Sequence, residues 1–228
     1  MVEHTVKAFD EDIGRLRGMI AQMGGLAELA IVESMEALKR HDLDAAERII
    51  EGDRQIDLLE NEVERLAVQL IALRAPLADD LREVVAALKI ASVVERIGDY
   101  AKNIARRVAA IEDHGDIEPL SVLPAMAEMA CRMVHDVLDA FAARDAEAAV
   151  RVSESDRGVD DFYNSLFRAL VTYMMENPAS IGQVAHLLFI AKNLERVGDH
   201  ATNVAEMVYY AATGVHMGER ERGARLLN

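Results

Sequence analysis

The chain has 228 residues, with 40 Asp and Glu against 25 Lys and Arg and a formal charge of −15; that balance argues against duplex DNA as a partner, because such binding rests on neutralised phosphates. Trp is absent, Pro occurs 4 times and aromatics make up 4%, while the abundant Ala, Leu, Glu, Arg and Met are good helix formers, so the composition points away from strands and towards an all-helical chain. The lone Cys131 rules out an intrachain disulfide and a cysteine-based zinc site, and its neighbours Met129 and Met133 mark it as a small core residue.

Taken in chain order, the stretch MVEHTVKAFDED lacks the apolar centre of a signal peptide. A first helix is predicted over residues 7–39, interrupted by Gly24 and Gly25, which let two helices touch or bend the first. Asp42 is placed to cap a second helix over residues 43–74, which at ~1.5 Å per residue would run ~48 Å. Ala75 and Pro76 turn the chain into a third helix, from residue 79 to just before HGD at 114–116. The pattern then restarts: Ser121 caps a helix to residue 143, an ARD link leads to a helix over 146–176, and Asn177-Pro178 breaks to a last helix over 180–214. The uncharged run from Asn177 to Ala191 is shorter than the ~20 residues a membrane span needs, so the protein is expected to be cytoplasmic.

The chain repeats itself. ERIGDYAKNIA from Glu95 reappears as ERVGDHATNVA from Glu195, and Asp53-Arg54 with Asp57 reappear as Asp156-Arg157 with Asp160. The offset is 100 for the first pair of phrases and 103 for the second, which puts a three-residue length difference at the turn between second and third helices. The predicted fold is all-α: two tandem three-helix bundles forming an internal pseudo-two-fold repeat, over residues 1–116 and 117–214, with a charged tail at 215–228 expected to fray.

Within the repeats, Glu95, Asp99 and Asn103 sit at i, i+4 and i+8 on one stripe, away from the apolar stripe of Ile90, Val94, Ile97, Ala101, Ile104 and Val108. A solvated face is the ordinary explanation of such acids. Against it, the same stripe continues backwards as Leu88, Val84 and Leu81, and like charges at i, i+4 are mildly destabilising. The chain nevertheless accepts such pairs at Asp53/Asp57, Glu95/Asp99, Asp156/Asp160 and Glu195/Asp199. Antiparallel second and third helices could bring the two pairs of one half together. With Asn103 or Asn203 they would make an oxygen-rich site suited to Mg or Mn and tolerated by Fe. No Glu is followed by His three residues later, so the ligand pattern of a ferritin-like oxidation centre is missing. Gly98 and Gly198 are read as points of close helix approach, Arg54, Arg96, Arg157 and Arg196 as partners for acids on neighbouring helices, and His200 as an ordinary exposed histidine. A carboxylate-bridged di-metal enzyme on a helical scaffold is the rival reading; it lacks a proton-transfer residue present in both halves.

The tandem ERIGD and ERVGD phrases, each preceded by a DRxxD helix, resemble the PhoU family of phosphate-transport accessory proteins. So do HTVKAFDEDIGRLR, MGGLAELA, ALKRHDLDAAERIIEGDRQID, HDVLDAFAARD and NVAEMVYYAATG, and the resemblance covers almost the whole chain. It implies two similar three-helix bundles, a homodimer, no enzymatic activity, and negative regulation of the phosphate-starvation response. It also implies a cytoplasmic adaptor between the ATPase of the phosphate ABC transporter and the sensor histidine kinase, with membrane contact only through those partners. Carried over by position, it implies a divalent or multinuclear metal (Mg, Mn, Fe or Zn) held by Asp53, Asp57, Glu95, Asp99, Asp156, Asp160, Glu195 and Asp199.

Overall fold

In the computed structural model, which describes residues 2–111 and 118–218, seven α-helices account for nearly all of the described residues and no strand occurs among them. They are α1 (Val2–Arg40), α2 (Leu43–Gly52), α3 (Arg54–Arg74), α4 (Asp79–Ala105), α5 (Leu123–Ala143), α6 (Ala146–Glu176) and α7 (Ile181–Thr213). The HGD segment and most of the tail, residues 219–228, lie outside the described residues.

Glycines Gly24 and Gly25 do not interrupt α1, which runs unbroken through both. A Cβ at Gly24 would overlap Leu138 Cδ1 of α5, whereas one at Gly25 would meet nothing. Gly24 is therefore a contact point and Gly25 a surface residue. The predicted second helix is divided at Asp53. That residue keeps right-handed helical angles, φ −53° and ψ −31°, and its N–H still reaches the Ile49 carbonyl at 3.3 Å. Its own carbonyl accepts from the Ile56 N–H at 2.9 Å, a tightened turn inside one rod. The equivalent α6 is continuous. Both rods start alike: Asp42 accepts from the Ala45 N–H at 2.8 Å, and Asp145 from the Ala148 N–H at 2.9 Å. Such caps satisfy donors the helix leaves open. Ser121 does not cap α5, which begins two residues later behind a short 3-10 turn, with Val122 at the N-cap and Pro124 in its first turn.

Each half is a three-helix bundle, α1, α2–α3 and α4 in the first and α5, α6 and α7 in the second. The halves join through α1 against α5 and α4 against α7, so α3 and α6 form the outer flanks. The helices α4 and α7 run antiparallel: Arg82 at the start of α4 lies beside Gly214 at the end of α7, and Arg107, just past α4, meets His186 near the start of α7 at 2.9 Å. Tyr100 and His200, equivalent in the two repeats, meet edge to face with ring centres 5.2 Å apart, near the pseudo-two-fold axis. The core is aliphatic, with Ile20, Ile31, Ile90, Ile97, Val134, Leu187 and Val204 fully buried. One buried ion-pair cluster crosses between halves. Glu83, 5% exposed, accepts from Arg17 Nε at 2.7 Å and pairs with Arg144 at 3.3 Å.

Candidate functional site

The carboxylates of each repeat lie where the outer rod crosses the last helix of its bundle, α3 on α4 and α6 on α7. The crossing is close because of the mid-helix glycines. A Cβ at Gly98 would lie 2.7 Å from Ile56 Cδ1 and 3.3 Å from Asp53 Oδ1; one at Gly198 would lie 3.0 Å from Asp156 Oδ1. Each glycine thus makes room for the first aspartate of the DRxxD phrase, and both repeats use the same device.

In the first half Asp53 is buried, while Asp57, Glu95 and Asp99 are partly covered. Lys102 donates to Asp53 Oδ2 and to Asp99 Oδ1 at 3.0 Å, which brings the second- and third-helix acids together. Burial pushes the Glu95 carboxyl up to about 7, with the charges of Asp99, Glu60, Asp57 and Asp53 adding to the effect. The three other predicted acids, and Glu60 with them, therefore all act on Glu95. Asn103 is turned elsewhere: its Oδ1 accepts from Arg106 at 3.2 Å.

In the second half Asp156, Asp160 and Glu195 are buried, at 2%, 5% and 6% exposure. Lys192 pairs with Glu195 Oε2 at 2.6 Å. Burial raises the Glu195 carboxyl above its ordinary range; Lys192 opposes this, and the Asp199 and Asp156 charges reinforce it. Asp156, Glu195 and Asp199 thus form one interacting group, and Asp160 lies one turn further along α6, buried. Asn203 is partly covered on α7.

Lys102 and Lys192 were not predicted, and neither was Glu60. Each lysine lies three residues from a motif acid, Lys102 after Asp99 and Lys192 before Glu195, so helical spacing already put it in reach. They escape a repeat-based reading because position 202 is Thr and position 92 is Ser. The two halves bring an ammonium to the same place from opposite ends of the motif. The arginines behave differently from expectation: among the described residues Arg54, Arg96, Arg157 and Arg196 form no ion pair, and all four are exposed. His200 is half-buried, its Nδ1 donating to the Arg196 carbonyl at 3.0 Å; burial lowers its pKa. Cys131 is buried, and desolvation, with the nearby Glu28 charge, pushes its thiol up to about 12, so it is an inert core residue.

The donor set is all oxygen, partly desolvated and mutually repulsive, and each cluster already draws in one cation, a lysine. That chemistry fits a hard metal ion. Among the described residues, however, no three His, Cys, Asp or Glu side chains are gathered as a ligand set. A metal would take the place that Lys102 and Lys192 now fill. The cavity beside Asp53, Gly98 and Lys102 measures about 90 Å³, well below the ~300 Å³ at which organic-ligand pockets begin.

A duplicated all-α module with one acidic crossing per three-helix bundle is the class that fold and site define. The PhoU domain model matches residues 20–108 and 123–208, one match per bundle, and the chain belongs to the PhoU domain family. It is 57% identical over 226 residues to the phosphate-specific transport system accessory protein PhoU homolog of Zymomonas mobilis, covering 99% of this chain and 95% of that one. The corresponding protein of Caulobacter vibrioides is 44% identical over 218 residues, 94% of each chain. The crystal structure of PhoU from Pseudomonas aeruginosa superposes with a TM-score of 0.86 at 36% identity, covering 91% of this chain and 100% of that one. The phosphate transport system regulatory protein PhoU from Streptococcus pneumoniae gives 0.85 at 28% identity, covering 92% and 99%.

Proposed function

We propose that this protein regulates phosphate uptake and the phosphate-starvation response by contact, as a cytoplasmic, homodimeric, non-enzymatic adaptor. Its partners in this reading are the ATPase of the phosphate ABC transporter and the sensor histidine kinase of the phosphate regulon. The observation that carries it is family membership across both bundles, together with relatives named as accessory proteins of the phosphate-specific transport system. The cavity at the acidic crossing, too small for an organic ligand, supports a contact role; among the described residues no helix is long and apolar enough to cross a membrane. When phosphate is plentiful, a transporter–adaptor–kinase assembly holds the kinase in its phosphatase mode. The signal is a change in the population of that assembly, which requires different affinities for the partners' states. Deleting the protein should leave the regulon switched on in phosphate-rich medium. A regulon that stays silent in such a strain would refute the negative role.

The eight carboxylates belong to the same reading as holders of a Mg, Mn, Fe or Zn ion or cluster. Bound there, the metal supplies positive charge that relieves carboxylate repulsion. The chain's own part is to aim α3 and α4, or α6 and α7, at one point across a glycine.

A further inference from the structure

We infer that the seam between α4 and α7 is a docking surface for an acidic, amphipathic helix of a protein partner. On α4 and just beyond, positions 82, 85, 89, 93, 96, 100, 103 and 107 share one stripe; on α7, positions 186, 189, 193, 196, 200, 203, 207 and 210 do. The two stripes face each other, as the contacts of Tyr100 with His200, Arg107 with His186 and Arg82 with Gly214 establish. With 40 acids in 228 residues, roughly one position in six of the chain is a carboxylate, yet none of these positions is. They hold instead Arg82, Lys89, Arg96, Arg107 and Arg196. Every residue of the two stripes except Asn193 is partly or fully exposed.

Among the described residues, Lys89, Arg96, Arg107 and Arg196 make no ion pair, and only Arg82 is engaged, by Asp79. Two arginines lie over aromatic rings, Arg107 at 4.3 Å from the Phe189 centre and Arg196 at 5.9 Å from the Tyr100 centre, which holds them at the surface. The acids Asp99 and Asp199 border the strip, and Lys102 takes Asp99.

The spacing selects the occupant. Arg82, Lys89 and Arg96 recur every seven residues, ~10 Å apart along the helix, and the strip runs ~38 Å from Arg82 to Arg107. Cations so separated do not converge on one phosphate ion. They do match acids at the seven-residue repeat of a helix laid along the seam. Between them, Val93, Phe189 and Met207 offer apolar contact. Charge complementarity of this kind sets register and on-rate.

The choice of a protein occupant rests on the adaptor reading, and the test separates the two. Full-length protein and its Lys89→Glu, Arg96→Glu, Arg196→Glu triple variant would be sedimented with the purified transporter ATPase and with the kinase's cytoplasmic portion. Both would also be titrated with a synthetic helix carrying Glu at every seventh position and Leu on the adjoining face. The triple variant should melt near wild type, lose at least about tenfold in affinity for one partner and for the synthetic helix, and leave the other partner's binding intact; Arg96→Lys with Arg196→Lys should keep binding. If the triple variant binds both partners as wild type does, the seam is not the surface and the adaptor reading stands. If wild type binds neither partner, the adaptor reading falls and the synthetic helix decides the seam: binding lost in the triple variant supports it, no binding overturns it. Binding of phosphatidylglycerol vesicles, or dimerisation, that the triple variant abolishes while partner binding is unchanged would assign the strip to lipid or to a second copy and overturn the proposal.

Discussion

Glu95 is the residue at which charge and burial conflict most. Its folded pKa of about 7 exceeds the ordinary 4.5, so between those values the native state holds a proton that the unfolded chain releases. The stability it contributes is full below about 4.5 and is lost as pH rises through about 7. The side chain is partly exposed, so solvent screening reduces the effect to the order of 1 kcal/mol. Glu95→Gln should flatten the pH dependence and be more stable than wild type at pH 8, read by urea unfolding in chelator; an unchanged slope would show the acids to be less coupled than the geometry says. Lys102→Ala leaves buried Asp53 without its ammonium and should destabilise the metal-free protein by about 2 kcal/mol, between the values for exposed and buried pairs. The same variant should retain more Mn in elemental analysis, because nothing then competes for Asp53 and Asp99. The eight acids were legible in the sequence because they are written twice. The two lysines were not, because each occurs in one copy only.

At the level of elements, the adjacent glycines of α1 give a sharp contrast. Gly24→Ala forces Leu138 out of a packed position and should destabilise by about 2 kcal/mol, whereas Gly25→Ala faces open space and should stabilise by up to about 1 kcal/mol through helix propensity. Chemical denaturation of both variants decides; equal effects would mean that α1 and α5 do not touch there. The sequence showed that a glycine pair mattered, not which member, since the partner helix lies in the other half. Caps, breaks and helix order were legible from Asp42, Pro76 and Asn177-Pro178 because those signals are local. The tightened turn at Asp53 follows Gly52, which weakens a helix where its counterpart Ser155 does so less; the shared DRxxD phrase masked that difference.

At the scale of the molecule, the repeat announced two bundles but not how they dock. Docking depends on residues outside the repeated phrases: the Glu83 cluster with Arg17 and Arg144, and the Arg107–His186–Phe189 contact. The result is a basic strip along the pseudo-two-fold seam, with an acidic crossing on either side of it. Replacing Glu95, Asp99, Glu195 and Asp199 by Gln or Asn should remove stoichiometric metal while leaving the helical fold, by elemental analysis and circular dichroism; metal retained at full stoichiometry would show that these acids are not its ligands. The adaptor claim itself is tested most directly by sedimenting this protein together with the purified transporter ATPase and the kinase's cytoplasmic portion. A single boundary containing all three is the predicted result; a protein that binds neither, or binds them only in mutual exclusion, would contradict it.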